Sequence, residues 1–360
     1  MGREHAMVLQ SAGSSLKRRL RRVVDLAGAS TGFMSLCERR MRSGLTILMY
    51  HRVLPRTHCL DYPLQALVIP VEAFEQQMAW LASHCEVLPV RDAVQQLQSG
   101  RSSARPKVAI TFDDGYADNF EHAAPIMEAQ GLRGTFFVTS GFVETGAPLW
   151  FDRAAALWDG MGEPGKAKLM ARLQSGCASL EEGMGSEFGH FRIEDWMAAL
   201  KEMATNERDR FLQEVTAQLA SPPEVGLAVA MQPGHLAKLH QAGHEVAAHS
   251  VTHPILPTLS DDALLEELTV SRDQVADWIH DEVVGFCYPN GDYDDRVAAA
   301  AEAAGYRYAC ATTPGLNLRT ANLLCLHRRS VTMQRTMHAN GRPDALGFRG
   351  EVNGFRERWR

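Results

Sequence analysis

No stretch of this chain approaches the ~18 to 20 consecutive apolar residues that cross a bilayer. The first forty-odd residues also lack the apolar core of a secretory signal. A cytoplasmic protein without signal peptide or transmembrane segment is the expectation. Cysteine is sparse and unpatterned. Cys37, Cys59, Cys85, Cys177, Cys287, Cys310 and Cys325 form no C-x-x-C pair, which fits free thiols in a reducing compartment better than a disulfide framework. An excess of positive charge is missing too: the formal charge is −6, which gives no case for nucleic-acid binding. With 45% apolar and 22% charged residues, what remains is an ordinary globular enzyme composition. Its 360 residues suggest two domains by length alone, or one (β/α) barrel with an insertion.

What is present is an uneven distribution of acids and histidines. Thr111-Phe112-Asp113-Asp114-Gly115 closes the apolar run Val108-Ala109-Ile110. A run of that kind reads as a buried strand, and acids at its end sit where α/β proteins place their chemistry. Adjacent aspartates repel unless a cation or proton intervenes; a pair of surface acids in a turn is the competing reading. His249-Ser250-Val251-Thr252-His253-Pro254 follows Val246-Ala247-Ala248 in the same way. Pro254 disfavours helix at His253, so the two imidazoles meet through a turn, with Ser250 holding it. Imidazole plus carboxylate suits zinc or a related divalent ion. His51, Asp113, Asp114, His249, His253, Pro289, His327 and Arg328 all fall at predicted strand C-termini, the face on which barrel enzymes act.

Strands are predicted at Leu45–Tyr50, Glu86–Val90, Lys107–Phe112, Gly134–Thr139, His244–Ala248, Val283–Tyr288, Tyr308–Thr312 and Leu323–Leu326, with helical stretches between them. Such alternation implies parallel strands with right-handed crossovers. Three regions depart from it. Residues 1–44 form a basic amphipathic segment: Leu16, Leu20, Val23, Val24 and Ala27 recur at helical spacing among Lys17, Arg18, Arg19, Arg21 and Arg22. A helix over Ser15–Arg42 either lies peripherally on anionic lipid or packs on the domain. Residues 150–223 read as a helical insertion with a loop-like centre, Gly183–Gly189, and are expected to be a lid or a decoration. Residues 336–360 read as a loosely held tail. The stretch 45–335 is the expected catalytic domain.

The two motifs together resemble the polysaccharide deacetylase family, the NodB-homology carbohydrate esterases. T-F-D-D-G is matched in full at Thr111–Gly115 and H-[ST]-x-x-H at His249–His253. R-x-P-x-G is met only in part by Cys287-Tyr288-Pro289-Asn290-Gly291. Leu48-Met49-Tyr50-His51 is similar to the N-terminal Y-H segment of the exopolysaccharide deacetylase branch. The resemblance implies a distorted (β/α) barrel and a metal-dependent N-deacetylase for GlcNAc-type sugars of a surface or exported polysaccharide, or its lipid-linked precursor. It implies Asp114, His249 and His253 as ligands of zinc, with cobalt, nickel or iron as alternatives. Asp113 is implied as base, His51 or His327 as acid, and the Asn290 backbone N–H as oxyanion donor after Pro289. Tyr116 and Trp150 either stack on a sugar or pack. Where relatives carry an arginine this chain has Cys287, and Arg328 is the candidate replacement. Deformylation or cyclic-amide hydrolysis, and a non-catalytic sugar-binding homologue, are the alternatives. Oligomeric state is not legible.

Overall fold

The computed structural model describes residues 21–101, 103–174, 191–219, 221, 223, 225–338 and 340–359. Its strands are β1 (Gly44–Tyr50), β2 (Arg52–Leu54), β3 (Val68–Pro70), β4 (Glu86–Val87), β5 (Lys107–Phe112), β6 (Thr135–Val138), β7 (Glu245–Ala248), β8 (Gly285–Cys287), β9 (Tyr308–Cys310), β10 (Asn317–Leu318) and β11 (Arg329–Ser330). A nine-stranded sheet runs β10-β1-β5-β6-β7-β8-β9, with β4 beside β5 and β11 beside β1. From β1 to β9 every pairing is parallel, and β10 alone runs antiparallel. Leu326 bridges to Cys310, and Arg329 pairs with Leu48, so the segment 326–330 joins the last parallel strand to the first. The result is a distorted (β/α) barrel. A strand at Leu323–Leu326 does not form. Leu323–Cys325 is a 3₁₀ turn instead, because the Asn322 side chain accepts the Leu324 N–H and competes with a strand ladder.

Side-chain alternation sorts the two cores. Leu45, Ile47, Ala109, Phe137, Ala247, Cys287, Tyr308 and Cys310 share the barrel interior. Their neighbours Leu48, Tyr50, Val108, Ile110, Phe112, Phe136, Val138, Val246 and Phe286 pack outward under the helices. Extending the inward parity past the strand ends brings Thr111, Asp113 and His249 over the barrel mouth.

The inserted helices Trp150–Asp159, Glu163–Gln174, Ile193–Lys201 and Thr205–Ala217 build a core of their own around Trp150, Trp158, Met170, Trp196, Leu200 and Leu212. The Gly183–Gly189 stretch lies outside the described residues.

Both termini correct the sequence reading. Of the expected helix over Ser15–Arg42, residues before 21 lie outside the described part. The rest is broken by Gly32, at φ 74°, into helical residues 21–30 and the helix Phe33–Met41. The C-terminal stretch is not loose. The helix Ala345–Val352 buries Phe348 and Val352, and Phe355 follows. This i, i+4, i+7 stripe is an ordinary apolar helix face that the glycines around it obscure. It meets the N-terminal helices through Asp25–Arg356 and Glu38–Arg349 ion pairs and a Phe33–Phe355 edge contact.

Candidate active site

Asp113 emerges from the end of β5, where its N–H donates to the Tyr50 carbonyl and so prolongs the β1–β5 ladder by one residue. Its carboxylate is buried and faces Arg328 in a two-armed pair: Nη1 to Oδ1 is 2.6 Å and Nη2 to Oδ2 is 2.8 Å. Arg328 is fully buried and held in turn by the Ala311 carbonyl and the Thr111 hydroxyl. Burial alone would raise the Asp113 carboxyl, but the guanidinium overrides it and holds the group well below the usual carboxylate range. Cys287 lies within the same pair, its Sγ 3.0 Å from Arg328 Nη2 and 3.6 Å from Asp113 Oδ2. Burial pushes this thiol up to about 11.

Asp114 turns the other way. Its φ of 78° swings the carboxylate from the barrel axis towards the histidines. Asp114 Oδ1 is 3.5 Å from both His249 Nε2 and His253 Nε2. The two rings meet edge to face at 4.9 Å. Ser250 accepts the His253 N–H at 3.0 Å and closes the turn, with Ser250 and His253 both at positive φ. His249 Nδ1 is 2.6 Å from the Cys287 carbonyl. That carbonyl accepts the Nδ1–H and leaves Nε2 facing Asp114 Oδ1, the orientation of a metal-ligating imidazole. Burial and the neighbouring His249 push His253 down to about 3, so its ring is neutral. Asp114 Oδ2 is buried without a partner. The three side chains therefore fit a small cation with oxygen and nitrogen preferences.

A cavity of about 580 Å³ stands over both groups. His51, one residue beyond β1, lines it, with Nε2 3.9 Å from Asp113 Oδ2. Asn290 lines it as well, at φ 57° in the turn Pro289–Gly291, and its side-chain Nδ2 is buried and unpaired. Pro289 is buried and shapes that turn from behind. The wall facing the site is apolar: Leu64 and Leu67, Phe151, then Ile193 and Met197 of the inserted helix. Lys201 closes that helix at the cavity edge, without an ion-pair partner among the described residues.

Other candidates move away from the cavity. His327 and Arg328 are consecutive, so their side chains leave the chain on opposite sides. Arg328 takes the interior, and the His327 ring packs on Gly315 outside the cavity. Tyr116 is fully buried, with the Arg52 guanidinium over its ring. Its hydroxyl donates to Asp152 at 2.8 Å, beside a Tyr62–Asp152 bond of 2.7 Å. Trp150 is also packing: its Nε1 donates to the His253 carbonyl at 3.0 Å, and Arg208 covers its ring.

Sequence reasoning missed the network behind Tyr116. Arg52 pairs with Asp118 at 2.7 Å and lies over the Tyr62 and Tyr116 rings, while Asp118 also accepts the Val53 N–H. Asn119 donates to the His51 carbonyl at 2.7 Å. Together these fix the backbone on either side of His51. Partners so far apart in sequence leave no local pattern to read.

A profile of the family described as polysaccharide deacetylase matches residues 100–177 and 214–309. The chain belongs to that family. It is a hydrolase of the N-deacetylase type. The polysaccharide deacetylase-like protein YxkH of Bacillus subtilis (strain 168) is 22% identical over 289 residues, which cover 80% of this chain and 71% of that one. Among solved structures, the Streptococcus pyogenes deacetylase PplD in complex with acetate aligns with a TM-score of 0.53 at 18% identity, covering 80% of this chain and 92% of its own. IcaB from Ammonifex degensii aligns at 0.50 with 16% identity, over 81% and 92% of the two chains. At these identities the likeness is one of fold. The gap between the two matched stretches of the family profile contains the helix Ile193–Lys201, which gives Ile193 and Met197 to the cavity wall.

Proposed function

We propose that the cavity is the active site of a metal-dependent enzyme that removes N-acetyl groups from GlcNAc-type sugars of a surface or exported polysaccharide, or its lipid-linked precursor. One observation carries this reading: an ionised carboxylate, Asp113 locked to Arg328, stands beside an Asp114–His249–His253 cluster at the floor of an open cavity. A divalent ion held by those three residues would polarise the acyl carbonyl and acidify a water molecule; zinc suits the donors, as do cobalt, nickel and iron. Asp113 receives the water proton, and Arg328 keeps it aimed. A carboxylate so strongly paired is a weak base, so the transfer depends on the water being acidified first. Asn290 offers its backbone N–H to the developing oxyanion, a contact worth about 2.7–4 kcal/mol of barrier in comparable sites. His51 gives a proton to the departing amine. The test is acetate release from chito-oligosaccharides with added Zn²⁺ or Co²⁺, against Asp113→Asn. Turnover that persists in the variant would overturn the base role, and none in the wild type would favour a formamide, a cyclic amide or sugar binding alone.

A second reading concerns location. Within residues 21–43 both acids, Asp25 and Glu38, point inward to Arg356 and Arg349. The exposed side chains include Arg21, Arg22, Arg39, Arg40 and Arg42 with Val23, Leu26 and Leu36. A face sorted into cations and apolar groups suits peripheral contact with an anionic lipid surface. No described helix is long and apolar enough to cross a membrane.

A further inference from the structure

Beside the catalytic cavity lies a second of about 930 Å³. Gln65 and Gln334 line both, so the two adjoin. Among the described residues, the charged groups around the second are of one sign: Arg21 from the N-terminal helix, Arg56 from the loop after β2 and Arg192 from the start of the inserted helix, with His338 and without a described Asp or Glu. The catalytic cavity, by contrast, includes Asp113, Asp114 and Glu194.

Two of these cations, Arg21 and Arg56, have no ion-pair partner among the described residues, and Arg56 spends one N–H on the Gly341 carbonyl at 2.7 Å. Arg192 alone is paired, with Asp195 at 3.0 Å. Arg21 and Arg56 come from distant parts of the chain, and like charges brought to one cleft repel unless an anion or water screens them. Guanidinium forks match phosphate oxygens in pairs, and the cavity has the size of a small-molecule site.

We propose that this cleft is an anion subsite, which holds a phosphate-type group of the substrate while the attached N-acetylated sugar lies over Asp113 and Asp114. The proposal rests on the deacetylase reading of the adjoining cavity. Gln65 and Gln334, at the junction, can bond sugar hydroxyls as donor or acceptor. No bond is made or broken in the cleft; its part is to set which sugar reaches the floor. The phosphate belongs either to a diphosphate that joins the sugar to a lipid or to a phosphodiester within a polymer.

The experiment uses the metal-loaded full chain and an Arg21→Gln/Arg56→Gln variant. Calorimetry measures binding of inorganic pyrophosphate. Kinetics compares neutral di-N-acetylchitobiose with the same sugar as a 1-diphosphate and as its farnesyl diphosphate ester. In the variant, pyrophosphate should bind at least tenfold more weakly, and kcat/KM for both diphosphates should fall by a similar factor. Turnover of the neutral sugar should stay within twofold, which also controls for folding. Preference for the farnesyl ester assigns the phosphate to a lipid-linked sugar, and equal rates assign it to a polymer. Equal pyrophosphate affinity in the two proteins, or a uniform fall on all three sugars, overturns the subsite. If the wild type releases no acetate from any of them, the deacetylase reading fails and the calorimetry still decides the cleft.

Discussion

At the scale of single residues, the pair of Arg328 and Asp113 carries the most consequence. A carboxylate sealed in a barrel mouth would take up a proton unless a cation met it, and here the cation comes from the segment that closes the barrel. Arg328→Met leaves Asp113 buried and unpaired, which should cost about 3–5 kcal/mol of stability together with most turnover. Cys287 faces the same space, so Cys287→Arg placed in that background should recover part of both. Urea unfolding and acetate release measure the two effects; an Arg328→Met protein as stable and active as wild type would refute the pairing role. The cluster next to it makes a separate prediction. Asp114→Ala, His249→Ala and His253→Ala should each lose bound metal, whereas Asp113→Asn and His51→Ala should keep it and lose kcat. Elemental analysis after dialysis decides this, and full occupancy in all three ligand variants would refute the assignment.

At the scale of elements, the insertion is tied to the barrel through Asp152. Burial pushes this carboxyl up to about 6, although the Tyr62 and Tyr116 hydroxyls and Arg52 pull against it. An unfolded aspartate titrates near ~3.9, so between that value and 6 the folded chain holds a proton that the unfolded chain has released. Stability is therefore fullest below the lower value, falls as pH rises through the window, and levels off above it, with a total change on the order of 3 kcal/mol. Asp152→Asn should remove that slope. Urea denaturation at several pH values from acid to neutral would show it, and parallel profiles for the two proteins would exclude Asp152 as the source. The helix Ile193–Lys201 gives a second element-scale expectation. Met197→Trp should fill the cavity and raise KM several-fold with little change in metal content, and an unchanged KM would remove that helix from the substrate wall.

At the scale of the whole molecule, the two chain ends form one layer against the barrel, with Asp25 and Glu38 turned inward and arginines outward. Each basic residue near an anionic bilayer contributes about 1 kcal/mol within a Debye length of ~8 Å. The full chain should therefore sediment with anionic vesicles at low salt and be released at high salt, while neutral vesicles leave it in solution. Replacing Arg39, Arg40 and Arg42 by glutamine should weaken this without touching the catalytic cavity. A full chain that stays in the supernatant with anionic vesicles at low salt would leave these helices a purely structural role.

Sequence alone determined most of the alternation of strands and helices, the placing of Asp113, Asp114, His249 and His253 at strand ends, and the two short motifs. Each of these is local, since strand periodicity and turn chemistry act over a handful of residues. It left open His51 against His327, the source of the arginine that meets Asp113, and the role of Tyr116. Where those side chains lie follows from barrel closure, which puts Arg328 inside against Asp113 and turns His327 away while His51 lines the cavity, and from the packing of Tyr62, Tyr116 and Asp152 into one buried network. The C-terminal helix and the arginine-lined cleft belong to the same class. Their partners lie far apart along the chain, and no local pattern encodes a contact that exists only once the sheet has curled shut.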